Sequence, residues 1–195
     1  VIGFLILFVG GVGVAEEMVL EAIQDTYSQS STPWNNYGFE PYIQVGAYFD
    51  ADFRSWIEFD IFQLPPNIVI ESAVLELTVY GGASQLSMEL MHIFGYWYEG
   101  IVNWYDYPGT GFFGWWQGAT PLGATISVPI TSAVQQWYND PYLHSGICLQ
   151  EEIDLVAFWS REGSPTYGPR LRVTYTVPPP ALNVSPEALT WDWEY

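Results

Sequence analysis

Residues 54–61 read Arg-Ser-Trp-Ile-Glu-Phe-Asp-Ile, and their side chains alternate between apolar and polar. Ile57, Phe59 and Ile61 share one face of this run, while Trp56, Glu58 and Asp60 take the other. A period of two residues is typical of a strand with one buried face. The same alternation returns at residues 73–79 and 171–177. These three runs predict a sheet that packs one face against a core.

Shorter strand candidates fill much of the remaining chain, at residues 42–48, 86–94, 126–130, 146–150 and 155–160. Gly, Pro, Asn and Asp clusters separate them, as expected for turns. Only residues 131–138 indicate a helix, with Thr131 or Ser132 as its cap and Ala133, Val134 and Trp137 on one side. Many short strands and one brief helix predict an all-β, jelly-roll-type β-sandwich.

The two ends differ from this central region. Residues 1–15 form an uncharged apolar run that closes in small residues, which is typical of a signal peptide, here a partial one. Residues 178–180 are three prolines and predict a stiff linker. Residues 181–195 alternate like the first strand of a further β domain and resemble immunoglobulin-like repeats. We therefore expect one secreted module at residues 16–177, joined to other domains of the same polypeptide.

The chain is strongly acidic, with 22 Asp and Glu against four arginines and a formal net charge of -18. Nucleic acid is an unfavourable partner, because phosphate binding depends on clustered Lys and Arg. Contact with an anionic membrane after signal cleavage is disfavoured for the same reason. The single cysteine, Cys148, excludes an internal disulfide and is expected to be a small buried apolar residue.

Several short motifs follow one another in a fixed order. They are Asp25-Thr26-Tyr27, Asn36-Tyr37-Gly38, Gln44-Val45-Gly46, the strand from Arg54 to Leu64-Pro65, Trp97-Tyr98-Glu99 with Val102-Asn103-Trp104, and Ser160-Arg161-Glu162 with Pro169-Arg170-Leu171. This ordered set resembles the DNRLRE domain, also described as carbohydrate-binding module family 96. The resemblance covers about residues 21–177. The eponymous hexapeptide is absent, Asn103 replaces the usual Thr, and Pro129 stands where an Asp is common.

The resemblance implies a non-catalytic module that attaches a larger secreted or cell-surface protein to polysaccharide. Exposed aromatic rings are the expected ligand contacts. Residues 109–123 form a Gly- and aromatic-rich insertion, which we interpret as a loop whose Trp115 and Trp116 contact the ligand. Trp34 and Tyr37 are the second choice. A loop that packs back onto its own domain is the alternative.

Arginine is so scarce that each position is informative. We expect Arg54 and Arg161 to pair with Asp60, Glu99 or Glu162, and binding of an anionic sugar by these two arginines is the alternative. Asp50 and Asp52 are candidate ligands of a structural calcium ion, as is the cluster of Glu151, Glu152 and Asp154, although solvated surface charge is the preferred explanation of both clusters.

Catalysis has little support in the sequence. His92 and His144 lie in no metal or triad motif, and no carboxylate pair stands out. No cofactor is predicted with certainty. Because the chain is so acidic, neutral glycans are preferred over polyanionic ones. The rival hypothesis is a structural or adhesive repeat of a large surface protein with no sugar ligand.

Overall fold

The computed structural model of this chain describes residues 14–140, 146–151 and 153–179. Residues 1–13 of the predicted signal peptide and all of the predicted further domain, residues 181–195, lie outside these ranges. His144 and Glu152 lie outside them as well. None of the helices in the described ranges has the length and apolar character that a membrane crossing requires.

The described residues form ten strands, one α-helix and one turn of 3-10 helix. In chain order these are β1 (Ala15–Gln29), β2 (Tyr42–Tyr48), β3 (Ala51–Phe59), the 3-10 helix (Ile61–Gln63), β4 (Val69–Gly82), β5 (Gln85–Phe94), β6 (Gly109–Ala119), β7 (Thr125–Pro129), α1 (Thr131–Asn139), β8 (Ile147–Gln150), β9 (Val156–Trp159) and β10 (Arg170–Thr176).

Every strand pairing is antiparallel, and the strands build two main layers. The first layer has the order β7-β4-β10-β1, and the second has the order β1-β3-β8-β5-β6. A small third layer, β2-β9-β4, closes one end, and β2 also pairs with β3. The predicted all-β sandwich with one short helix is therefore confirmed.

Two long strands belong to two layers each. The register of β1 shifts between Ala22 and Gln24, where it leaves β10 and joins β3. The register of β4 shifts between Val79 and Gly81, where it passes from β10 and β7 to β9. An extra residue bends a strand and increases its twist, which lets one strand serve two sheets. Hydrogen bonding thus runs continuously around the core.

The inward faces of both layers supply a single large core. Its members are the apolar residues of the alternating runs, and they are fully buried: Ile57, Phe59, Leu75, Leu77, Leu86, Met88, Ile147, Leu149, Leu171 and Val173. Each such side chain stabilises the fold by about 1.5–3 kcal/mol relative to exposure. The period-two prediction therefore identified the core face of each strand correctly.

The helix packs against this core from the side. Ala133, Val134 and Trp137 are all buried, as their spacing predicts. The indole N–H of Trp137 donates to Nδ1 of His92 at 3.0 Å, so His92 is a core-edge residue. The predicted side-chain cap is wrong, because Thr131 Oγ1 instead accepts a hydrogen bond from the Ala73 amide at 3.0 Å.

Two segments differ from the sequence-based prediction. The segment predicted as a loop at residues 109–123 is mostly strand β6, paired with β5 along its length. Its glycines and a register shift near Phe113 hide the alternation that would have identified it. In addition, β1 extends over Ala15–Gln29, well beyond the motif Asp25-Thr26-Tyr27.

Gly46 in β2 provides a test of this packing. Its φ is +119°, and a Cβ atom there would lie 1.8 Å from the Asp154 carbonyl oxygen. Gly46→Ala should therefore lower the free energy of unfolding by at least about 2 kcal/mol in urea denaturation.

Gly81→Ala is the matched control, because a Cβ at Gly81 would meet no atom within 4 Å. We expect the free energy of unfolding of this variant to lie within about 0.5 kcal/mol of that of the wild type. Equal losses in both variants would contradict the close approach of backbone at Gly46.

Candidate functional site

The outer face of the second layer, the side of β3, β8 and β5 turned away from the core, is partly covered. Residues 95–108, which connect β5 to β6, lie across it. Trp97 and Val102 of this segment pack on Trp56, Ile93 and Cys148 of the sheet and form a second apolar cluster. This segment leaves the other part of the outer face open, beside Arg54 and Trp115.

The open part of this face forms a groove of about 390 Å³. It is lined by residues from β3, β5, β6, β8 and the segment after β8: Asp52, Arg54, Ser87, Glu89, Trp115, Gln150, Glu151 and Ile153. Four of these residues form one row of cross-strand neighbours, in the order Arg54, Gln150, Glu89, Trp115. Gln150 Nε2 donates to Glu89 Oε2 within this row. The groove therefore places a cation, an amide, a carboxylate and an aromatic ring side by side.

Arg54 is held in the groove by aromatic rings. Its guanidinium carbon lies 4.3 Å from the ring centre of Trp104 and 5.7 Å from that of Tyr107. No ion pair of Arg54 occurs within the described ranges, so the predicted pairing with Asp60, Glu99 or Glu162 is wrong for this residue. Its position on the outer face of β3 directs it towards the covering segment. Stacking leaves the edge N–H groups of a guanidinium available for hydrogen bonding.

Trp115 and Trp116 point to opposite sides of β6. The Trp115 ring is 61% exposed and stands over the groove, opposite Glu89. Trp116 packs against the main core, and its indole N–H donates to the Ser127 carbonyl at 3.1 Å. The structure therefore brings Trp115 together with Arg54 and leaves Trp116 as a packing residue.

Trp34 and Tyr37 lie in the connection between β1 and β2, outside the groove. Trp34 is 74% exposed, and its ring centre lies 4.8 Å from that of Tyr105. Tyr37 stacks on Tyr27 with ring centres 4.3 Å apart, and its hydroxyl lies 2.6 Å from Thr32 Oγ1. Tyr37 thus packs on a small separate cluster of Tyr27, Ala51 and Phe53, and Trp34 is an exposed ring outside the groove.

The two predicted calcium ligands are in and beside the turn between β2 and β3. Asp50 and Asp52 are both exposed, and Asp52 also lines the groove. Within the described ranges, no three His, Cys, Asp or Glu side chains come close enough to hold a metal ion. Asp50 and Asp52 therefore do not form a calcium site with any third acidic, His or Cys side chain among the described residues.

Arg161 takes part in a network that we call the Arg161 node, made of the partly exposed Arg161 and the buried Glu99 and Asp25. Arg161 Nη2 donates to Glu99 Oε1 at 2.8 Å, and the Arg161 amide donates to Asp25 Oδ2 at 2.8 Å. The Asp25 amide donates to Glu99 Oε2 at 3.1 Å. Arg161 also pairs with Glu162. The predicted ion pairs of Arg161 are confirmed, and they link β1, residues 95–108 and the β9–β10 loop.

Burial changes the acid–base properties of this node. Asp25 is 1% exposed, and burial raises its pKa from 3.8 to about 7, against the opposing effect of the Arg161 amide. Burial also raises the pKa of Glu99, while the Arg161 charge opposes the shift. Burial raises the pKa of the Cys148 thiol to about 12, so this thiol is a poor nucleophile.

Sequence reasoning identified Arg54, Asp52 and Trp115 but missed their neighbours. Glu89 and Gln150 lie on predicted strands, yet no local pattern indicates which residues face each other across β3, β8, β5 and β6. Strand pairing is a non-local property, and only the register makes the row visible.

No protein-family model matches this chain, and no curated protein matches it.

Asp25 makes the stability of the fold depend on pH. Between pH 3.8 and about pH 7, Asp25 holds a proton in the folded state that it has lost in the unfolded state. Protonation of Asp25 therefore contributes to the free energy of unfolding, and this contribution is fully present below pH 3.8. It is lost as the pH rises through about 7. In urea denaturation, the free energy of unfolding of the wild type should fall between about pH 5 and about pH 8. In Asp25→Asn this fall should be smaller by on the order of 2–3 kcal/mol.

Asp50→Asn is the control, because Asp50 is exposed and its replacement should leave the pH profile as in the wild type. An Asp25→Asn profile parallel to that of the wild type would contradict a protonated Asp25 in the folded state.

Proposed function

We propose that residues 16–177 form a non-catalytic module that binds polysaccharide and attaches a larger secreted or cell-surface protein to it. The observation that carries this proposal is the row Arg54, Gln150, Glu89, Trp115 along an open groove. The ordered motifs that resemble the DNRLRE domain, and the apolar run at residues 1–15, support the same proposal independently.

The chemistry of the groove suits a sugar. A pyranose ring has apolar C–H faces that pack on an aromatic ring, and its hydroxyls both donate and accept hydrogen bonds. The exposed Trp115 ring offers the flat surface, and Glu89 and Gln150 offer acceptors beside it. Arg54, stacked on Trp104, offers donors in a fixed orientation. Small sets of placed polar groups beside apolar surface are typical of ligand sites.

The charges of the groove favour a neutral glycan. Asp52, Glu89 and Glu151 line it together with one cation, Arg54. The formal net charge of the whole chain is -18. A polyanionic chain would meet a repulsive field along most of its length, whereas sugar hydroxyls donate to carboxylates and accept from a guanidinium group.

The burial and hydrogen bonding of the potentially reactive side chains support a binding role rather than a catalytic one. Asp25 and Glu99 are buried and engaged with Arg161, so a substrate does not reach them. Cys148 is buried beneath residues 95–108 with its pKa raised. Trp137 donates to His92, the described histidine.

A second candidate function is an adhesive or structural repeat without a sugar ligand. The edge of β6, which pairs with no second strand among the described residues, favours it, because an open sheet edge is a template for pairing with another chain. This candidate predicts that the chain binds no polysaccharide, whether or not it self-associates.

Trp115→Ala tests the sugar-binding proposal. Loss of the ring should weaken binding to neutral polysaccharides by at least about tenfold, since Trp is among the residues whose truncation costs a contact most. Binding would be measured by a glycan array and then by titration calorimetry.

Trp34→Ala is the matched control, because it removes an exposed ring of the same size outside the groove. It should bind like the wild type. Unchanged binding by Trp115→Ala, or failure of the wild type to bind any polysaccharide, would overturn the proposal.

A further inference from the structure

One long segment of this acidic chain carries no charge. Residues 107–139 contain no Asp, Glu, Lys, Arg or His, although the chain has 22 acids and four arginines. Asp106 and Asp140 stand at its two ends. About half of its positions are exposed, among them the apolar residues Phe112, Trp115 and Leu122. Solubility alone would favour acids here, as it does elsewhere on the surface.

This uncharged segment builds both sheet edges on one side of the sandwich. β6 is the last strand of the second layer, and β7 is the last strand of the first. The two edges are neighbours, because the Trp116 indole N–H on β6 donates to the Ser127 carbonyl on β7. The two strands at these neighbouring edges therefore carry no charged side chains.

The edge of β6 is open within the described ranges. β6 is 11 residues long and pairs with β5 alone, so its second row of backbone groups has no strand partner there. Natural proteins protect such edges with charged residues, prolines, bulges or short strands. β6 has neither a charge nor a proline, and its one register shift, near Phe113, leaves residues 114–119 regular.

We propose that the free edge of β6 is a self-association surface, at which the β6 strand of a second copy of this chain adds in the antiparallel direction. Antiparallel pairing of identical strands gives a closed two-fold dimer, the commonest oligomer symmetry. Strand addition uses main-chain hydrogen bonds and needs no special side chain. β7 is a poorer edge, because it has five residues and ends in Pro129.

The distribution of charge identifies the occupant as a second copy. Two molecules of net charge -18 repel each other at most orientations, and the uncharged side allows close approach with the acids directed outwards. The remaining repulsion acts over longer distances and is screened beyond about 8 Å at physiological salt. Added salt should therefore strengthen this dimer, whereas it weakens an association held by ion pairs.

The dimer would extend the outer face of the second layer. Trp115 lies at the edge of its groove, so strand addition would bring both grooves onto one surface on either side of the join. Two linked sites on one ligand bind with higher avidity than one. Self-association itself does not depend on sugar binding, and the two proposals fail in different experiments.

Sedimentation equilibrium of the full chain, over a range of protein and salt concentrations, tests the proposal. We expect a concentration-dependent mass of twice 22.1 kDa, with a Kd that falls as NaCl is raised. A wild type that stays monomeric at high protein and salt concentrations would overturn it.

The double variant Gln117→Glu, Ala119→Glu places like charges on the regular, exposed part of β6. Its Kd for dimerisation should rise by at least about tenfold, because like charges that face each other across paired strands are destabilising. Thr166→Glu adds acid to the exposed β9–β10 loop and is the control, with a Kd near that of the wild type. A dimer that survives the double variant would place the interface elsewhere and contradict the proposal.

Hydrogen exchange locates the interface in the unmodified chain. Amides of Gly109–Ala119 should exchange more slowly at concentrations where the dimer forms than at dilution. Protection confined to any other strand would also overturn the assignment. Circular dichroism of the double variant confirms that its fold is intact.

Discussion

The Arg161 node is the interaction on which the geometry of the rest depends. Glu99 lies in the segment that crosses the outer face of the second layer, and Arg161 fixes it from the β9–β10 loop. The same segment carries Trp104 and Tyr107, which hold Arg54 at one wall of the groove. Because Glu99 is buried, loss of the Arg161 charge would leave its carboxylate without a cationic partner, so the pair favours this position of the covering segment. The node is thus connected to the candidate ligand site without contacting it.

Charged residues are unevenly distributed along this chain and over its surface. The arginines are engaged at fixed places: Arg161 in the node, Arg172 with Glu17 and Glu76 on the first layer, Arg170 near Glu21, and Arg54 on aromatic rings. The acids cover much of the remaining surface, and residues 107–139 are free of both signs. The acidic surface keeps the protein soluble through charge repulsion. The two adjacent edges without charge are the part of the surface where another chain can approach closely.

The sequence predicts the strands and the core face well, because alternation in residues 54–61, 73–79 and 171–177 is a local property. It predicts the groove only in part. Arg54 and Trp115 stand out by rarity and exposure, but their union with Glu89 and Gln150 depends on register across four strands. β6 was missed because glycines and a register shift interrupt its period. The preference of Arg54 for rings over carboxylates follows from the path of residues 95–108, which no local pattern encodes.

The pairing of β1 with β10 has a mechanical consequence. Ala15 and Thr176, at the opposite ends of the sandwich sequence, are direct partners in an antiparallel ladder. Tension applied through these two residues acts across the strands, so the ladder would unzip one rung at a time and offer little resistance. Beyond Ala22, however, β1 passes to β3, where the load must be transmitted through the bulge into a different layer. Under stretching, the β1–β10 pairing would therefore separate at low force, and the β1–β3 pairing would resist up to a higher force. The early separation would absorb mechanical work before the rest of the sandwich unfolds.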